Sequence, residues 1–489
     1  MMSAALKHIP GSSRTRILLK WNSQMSRPVS FSPFAALLVL WGVTATLPTH
    51  GAGQAVDPEM AVLTFDSAWS RVNASYYDPE FGGLDWAAVR DELRPQAAAA
   101  SSRAELREVL EEMLSRLGES HFGIISEDVA DALDPTDVES GEVAAPGEPG
   151  IELRVVEERL TVWRVREGGP ADEAGVRPGW VVDEIGDREV SEWLSALDSL
   201  DEGERAAGAM YLARRASAAL VGPMDEPVTL AVLDEENRAR EIQVPRAPPV
   251  GQPVRFGNLP TMFTQLDARR IGSGPECVGV VTWNVWMTPI AGPLDRAVSE
   301  LADCRGMILD LRGNPGGVGA MVMGVSGYFM DSREALGVMK TRDNELRFVS
   351  NPRRIRTPDG TRPPFDGPLA ILVDRLSAST TEIFAAGMQG VGRARLFGET
   401  TAGMALPALM IRLPTGDVLM HAFADFTGPD GTRIEGVGAI PDERVGLTRE
   451  DLLAGVDAPL EAALSWIRGT EGGSGGEQTS AGQVSNSKR

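Results

Sequence analysis

Apolar positions recur at helical spacing through residues 57–125. Phe65, Trp69 and Val72 share one face, and Leu106, Val109, Leu110, Met113, Leu114 and Leu117 form a strongly amphipathic stripe. Gly118 follows as a natural C-cap. The texture changes over residues 148–247. There, residues 160–165 read as a strand, and a short helix beginning at Pro170 leads through Gly175 and Gly179 into a second strand. From 252 to 467, apolar runs alternate with helical segments. Strands are expected at 278–285, 306–311, 369–373 and 394–398, and helices lie between them, including 291–302 and 318–329. That alternation predicts an α/β domain. The acidic stretch 127–147 reads as a linker, and the Gly/Ser/Gln-rich residues 468–489 as a disordered tail.

Composition narrows the partners. The chain has 489 residues, 43% of them hydrophobic and 24% charged, as in ordinary globular proteins. Its net charge of -22 argues against nucleic acid and anionic membrane surfaces, which need clustered Lys and Arg. Residues 34–47 are apolar and uncharged, follow basic residues and precede small residues at 51–55. This is an export-signal pattern over 1–55, with cleavage near 51–56 and a periplasmic or extracellular destination. The stretch is short for a membrane span, so no span is expected in the mature chain; an uncleaved anchor is the alternative. The basic segment has normal length if the chain starts at Met25. Cys277 and Cys304 each precede a strand-like run. They either form one disulfide in an oxidising compartment or remain two buried thiols; neither has companions suited to holding a metal.

The most informative segment is 374–389, where the run 369–373 turns through Ser379 into a helix. A serine there sits beside free backbone N–H groups and the positive end of the helix dipole. Two readings stand: Ser379 is a nucleophile, or it caps the helix in a Ser-x-x-Glu box with Glu382. A nucleophilic serine needs a base. His121, just past an amphipathic helix and bracketed by glycines, suits a cleft; His421 lies in a strand-like run and is the weaker candidate. Residues 310–317 (Asp-Leu-Arg-Gly-Asn-Pro-Gly-Gly) form a glycine-rich turn after a strand. Its N–H groups could hold an oxyanion, and it lacks the Gly-Lys-Ser/Thr ending of a phosphate loop.

Together these segments, with Tyr77-Asp78, Asp85-Trp86 and 436–442, resemble the tail-specific, or C-terminal processing, serine peptidases and their tricorn-like relatives. The resemblance implies a crotonase-like α/β core with an N-terminal helical part at 57–126 and a PDZ-like β-rich insert at 148–247. In the PDZ family a loop holds a peptide C-terminal carboxylate, and Gly150, Ile151, Glu152 and Leu153 occupy that place loosely. One departure matters. The bacterial processing branch uses a Ser-Lys dyad, but Gly398-Glu399-Thr400-Thr401-Ala402-Gly403 is followed here by Met404, whose thioether cannot take a proton. The tricorn-like branch uses a Ser-His-Ser-Glu tetrad, matched by Ser379, His121, Ser120 and Glu435. In that assignment Ser120 orients His121 and Glu435 polarises Ser120. The N–H groups of Thr380 and of Gly316 or Gly317 form the oxyanion hole. The resulting expectation is an exported serine endopeptidase acting on peptides or unfolded chains, with no metal or organic cofactor. Its activity should rise through about pH 6.5, shifted by the surroundings of His121. The alternatives are a non-catalytic binder of peptides or apolar ligands on the same fold, and a scaffold acting through the PDZ-like part.

Overall fold

The computed structural model describes residues 54–127, 146–197, 202–255 and 261–469. The export-signal region, most of the linker and the tail beyond Gly469 lie outside the described residues.

The first unit is three capped helices. Asp57 accepts the N–H of Glu59 at 2.8 Å to start Pro58–Ser75, Asp85 starts Trp86–Ala99, and Ser102 starts Arg103–Ser115. Their apolar faces meet over Phe65, Leu93, Leu106, Leu110 and Met113, each at most 2% exposed. Leu413 and Leu419 join this core from far along the sequence. The unit is not helical to its end. Gly123–Ile125 forms a strand that pairs antiparallel with Val418–Ala422. Three residues are too few for a period to register in the sequence.

The second unit is an antiparallel sheet. Its strands run in the order Ile151–Val156, Arg159–Val165, Val181–Ile185, Val228–Leu233 and Ala239–Val244. The first is an edge strand, and the helix Glu202–Leu220 packs across it. Val228–Leu233 alternates buried and half-buried residues, as a sheet with one covered face requires.

The third unit carries the α/β pattern. Six strands pair in the order Leu266–Ile271, Val278–Trp283, Gly306–Asp310, Leu369–Val373, Arg395–Gly398 and Glu443–Arg444. The first pairing is antiparallel and the rest are parallel. Gly306–Asp310 and Leu369–Val373 are buried throughout because both sheet faces are covered. Ala291–Leu301 and Thr380–Gly390 cover one face over Trp283, Trp286, Leu309, Ile371 and Phe384; Ala458–Gly469 covers the other over Val280, Ile308, Leu372 and Phe397. The helix expected at 318–329 is shorter, Met321–Ser326, and the last helix runs slightly past 467, to Gly469.

Charge joins the second unit to the third. Arg154 Nε donates to Asp374 at 2.9 Å and Arg164 to Asp310 at 2.7 Å, with Trp163 stacked 4.0 and 3.8 Å from the two guanidinium carbons. Both aspartates stand at the C-terminal tips of parallel strands, where α/β sheets place their sites. Arg312 binds Asp310 as well and reaches Asp457. A disulfide joins Cys277 and Cys304, 4.9 Å apart at Cα, at the same end of two parallel strands. Closing a loop over a separation of 27 residues restricts the unfolded chain by about 3.5 kcal/mol. Reduction, or Cys304→Ser, is therefore expected to lower the unfolding free energy by that amount in denaturant titrations; an unmoved midpoint would contradict it.

Candidate active site

The strand Leu369–Val373 ends in a turn organised by Asp374. One carboxylate oxygen of Asp374 accepts the N–H groups of Gly313 (2.7 Å), Leu376 (3.1 Å) and Ser377 (3.0 Å), while the other is held by Arg154. Ser377 Oγ donates to Leu311 O at 2.8 Å. The turn delivers Ser379 half-buried at φ 55°, ψ -121°, a conformation costly for an L residue. The helix Thr380–Gly390 then begins, and Glu382 accepts the Ser379 N–H at 2.9 Å.

The glycine-rich turn lies directly behind. A Cβ on Gly316 would come within 2.7 Å of Ser379 Cβ, and one on Gly317 within 2.3 Å of Trp286 O, so both positions require glycine. Buried Asn314 ties the turn to the helix. Its side chain donates to Trp283 O (2.8 Å) and accepts from Thr381 Oγ1 (3.0 Å) and the Gly316 N–H (3.0 Å). Gly316 thus spends its N–H on Asn314. The N–H groups of Thr380 and Gly317 make no such bond among the described residues, and Thr380 Oγ1 holds Gly317 O at 2.9 Å.

A second cluster comes from the helical unit. After Gly118, at φ 67°, the chain presents Ser120 and then His121, itself at φ 61°. Ser120 Oγ and His121 Nδ1 are 2.7 Å apart. Glu435, 6% exposed, accepts the Ser120 N–H on Oε1 (2.9 Å) and the Ala405 N–H on Oε2 (2.7 Å). Burial raises its pKa, against the bonds from Ser120 and Ala405. The residues just before each partner are also paired. Arg433 donates to Glu119 at 2.6 Å, and Tyr77 OH donates to the same carboxylate at 2.6 Å. This pairing sets the register of the two segments.

The structure therefore joins Ser120, His121 and Glu435 in one bonded chain, and Ser379, Thr380, Gly316 and Gly317 in another. Ser379 and His121 are not hydrogen-bonded to each other; such contacts are often long without substrate. The segment 403–405 links the chains, because Met404 O accepts the Ser379 N–H (2.8 Å) while the next residue, Ala405, binds Glu435. Gly150–Leu153 lies on the edge of the second unit, and the next residue, Arg154, reaches Asp374. His421 is buried in its strand, with Nδ1 3.2 Å from Ser75 Oγ, and takes no part.

Sequence reading missed Arg154, Arg164 and Arg214. Arg214 lies on the helix Glu202–Leu220 and donates to Leu376 O at 3.1 Å. No local pattern marks these residues, since their partners are more than 140 positions away. Burial, with the Arg214 charge adding to it, depresses the His121 pKa from 6.5 to about 4. This corrects the expected rise through pH 6.5, because the imidazole is already neutral there.

Comparison with known proteins agrees with this architecture. Residues 278–445 match peptidase family S41, and residues 64–115 match the tricorn protease C1 domain. The chain is 24% identical over 442 residues to the carboxyl-terminal-processing protease of Synechocystis sp., covering 89% of this chain and 92% of that one. It is 27% identical over 451 residues to the chloroplastic carboxyl-terminal-processing peptidase 3 of Arabidopsis thaliana, covering 89% and 78%. Among solved structures, the fold matches the photosystem II D1 C-terminal processing protease with a TM-score of 0.53 at 20% identity, covering 83% of this chain and 97% of that one. It matches mature CPAF with a TM-score of 0.55 at 13% identity, covering 84% and 96%. The protein is a mixed α/β serine peptidase, and its substrates are peptides or proteins. It carries a peptidase family S41 domain over residues 278–445 and a tricorn C1 domain match over residues 64–115, and the relatives named above are carboxyl-terminal-processing proteases. The non-catalytic alternatives give way to this result.

The depressed His121 pKa has a measurable consequence. Between about pH 4 and 6.5 the unfolded chain binds a proton that folded His121 refuses, so this residue makes stability rise with pH across that window. NMR titration of the imidazole should give a midpoint near 4; a midpoint at 6.5 would refute the desolvated setting.

Proposed function

We propose that Ser379 is the nucleophile and His121 its general base, with Ser120 and Glu435 orienting the imidazole. The observation that carries this reading is the 2.7 Å contact between Ser120 Oγ and His121 Nδ1, with Ser120 itself anchored on Glu435. A proton on Nδ1 donated to Ser120 leaves the Nε2 lone pair free. That lone pair accepts the Ser379 proton as Oγ attacks the scissile carbonyl. The N–H groups of Thr380 and Gly317 receive the oxyanion; Gly316, whose N–H is engaged by Asn314, serves by its lack of a side chain. Collapse expels the amine, which takes the proton from Nε2. Water, deprotonated by the same nitrogen, then attacks the acyl-enzyme and frees the carboxylic acid. A lysine base at the Met404 position is excluded by the side chain itself.

The same proposal covers the surroundings. The third unit is read as a crotonase-like core and the second as a PDZ-like insert. Its edge strand Ile151–Val156 faces the helix Glu202–Leu220, an arrangement that admits a peptide as an added strand, with Gly150–Leu153 at the carboxylate end. Export is supported by the signal pattern at 1–55 and by the disulfide. No helix among the described residues is long and apolar enough to cross a membrane.

Ser379→Ala should lower kcat by on the order of 10³ or more and abolish labelling by a fluorophosphonate. His121→Ala should cost a similar factor. Peptide cleavage undiminished in the serine variant would remove Ser379 as nucleophile.

A further inference from the structure

Glu382 is fully buried on the first turn of the Ser379 helix, and the mechanism above gives it no task. A helix cap needs one bond from such a glutamate, to the N–H of the capping residue. Glu382 makes that bond and three more. Its Oε1 accepts from Thr401 Oγ1 (2.5 Å) and the Gly403 N–H (2.6 Å); its Oε2 accepts from the Met404 N–H (2.9 Å) and the Ser379 N–H (2.9 Å). Two oxygens hold four donors, the full capacity of an ionised carboxylate.

The three additional donors belong to one short loop, and the far side of that loop is fastened to the base. Ala405, next after Met404, donates to Glu435 at 2.7 Å; Gly403 O accepts the Gly436 N–H at 2.8 Å; Thr401 Oγ1 accepts the Ala439 N–H at 2.7 Å. The near side is fastened to the nucleophile turn, where Ala402 donates to Ser377 O (3.0 Å) and Met404 O accepts from Ser379. Residues 401–405 are therefore a bridge between the two halves of the site, which come from different units of the fold. Building on the assignment of Ser379 and His121 above, we propose that Glu382 is a positioning residue. Its ionised carboxylate locks the 401–405 bridge and thereby sets the distance and angle between Ser379 and the His121–Ser120–Glu435 chain.

The bond pattern demands the charged form. Three of the four donors are backbone N–H groups, which cannot turn round and accept. A proton on Oε2 faces two such groups. A proton on Oε1 must displace the Thr401 hydroxyl proton and weakens the Gly403 bond. Burial meanwhile raises the Glu382 pKa to about 7, against the bonds from Thr401, Met404, Gly403 and Ser379. The charged and titratable groups around it are Arg214 from the helix Glu202–Leu220, Asp374 with Arg154 before the nucleophile turn, and Glu435 and His121 beyond the loop. His121 titrates near 4, so a rise in rate centred near pH 7 reports Glu382 and not the base.

Glu382→Gln keeps the shape of the side chain. Whichever way its amide lies, the new NH2 confronts at least one backbone N–H. The expected result is a kcat lower by about 100-fold with KM changed less than about twofold, and loss of the rise through pH 7. Thr401→Val is the second variant. Removing the hydroxyl bond to Oε1 disfavours the carboxylate, so the rise should persist and move to higher pH. Thermal melts and circular dichroism monitor folding, and if Glu382→Gln does not fold, the Thr401→Val profile decides. Wild-type kcat with an unmoved pH profile in Glu382→Gln, or an unmoved rise in folded Thr401→Val, would overturn the proposal. Ser379→Ala run alongside separates the cases. If it stays active, the nucleophile assignment fails; if it is inactive while Glu382→Gln behaves as wild type, only the role of Glu382 fails.

Discussion

Two buried carboxylates, Glu382 and Glu435, grip opposite sides of the same five-residue loop, and the geometry of the site depends on that grip. Glu382 stands on the helix that begins at Ser379; Glu435 stands beside Ser120 and His121, which belong to the N-terminal helices. Nothing covalent holds these segments close. The backbone N–H groups of Gly403 and Met404 on one carboxylate, and of Ala405 on the other, span the gap. A buried carboxylate is costly unless its acceptor sites are filled, so each one imposes a definite path on the loop. The requirement is mutual: the loop satisfies the acids, and the acids shape the loop.

Around this centre the fold accepts local strain and offsets it with packing and charge. Ser379 and His121 both lie at positive φ, a cost of about 1–3 kcal/mol each, and both are over-determined by neighbours. Ser379 is backed by Gly316 and bonded through its N–H to Glu382 and Met404. His121 is preceded by a pair of contacts, Glu119–Arg433 and Ser120–Glu435, that fix the segment from both sides. The sheet beneath supplies rigidity, because Gly306–Asp310 and Leu369–Val373 are parallel neighbours buried on both faces. Their adjacent tips bring the glycine-rich turn to the turn that carries Ser379. The second unit closes over the same tips through Arg154, Arg164 and Arg214, and the Arg214 charge adds to the burial that keeps His121 neutral.

Much of the fold was legible. The strand at 369–373, the helix after Ser379 and the helical stripe from Leu106 carry periodicities set by their own residues, and all three elements form there. Cys277 and Cys304 each precede a strand-like run, and the parallel pairing of those strands brings them to one end of the sheet. Short elements such as Gly123–Ile125 escaped, because their existence depends on a partner strand almost 300 residues away. The pH reading started from the ordinary imidazole value and left the shift to the surroundings, and the size of that shift was illegible because desolvation is a property of the assembled fold.

The sequence by itself determined which chemistry was available. Met404 cannot act as a base, a serine at the start of a helix has N–H groups beside it, and only two histidines, His121 and His421, follow residue 55. It also determined that Glu382 would face back toward Ser379, since a glutamate three residues after a helix cap does so through local geometry. Tertiary structure alone decided what those residues became. Glu382 gained three donors from a loop some twenty residues later, Glu435 met Ser120 across more than 300 positions, and Arg154 of a separate sheet reached Asp374 before Ser379. The physical reason is range. Caps and periodicity arise within a turn or two of chain, whereas filling a buried carboxylate or excluding water from an imidazole requires groups that only the completed packing brings together.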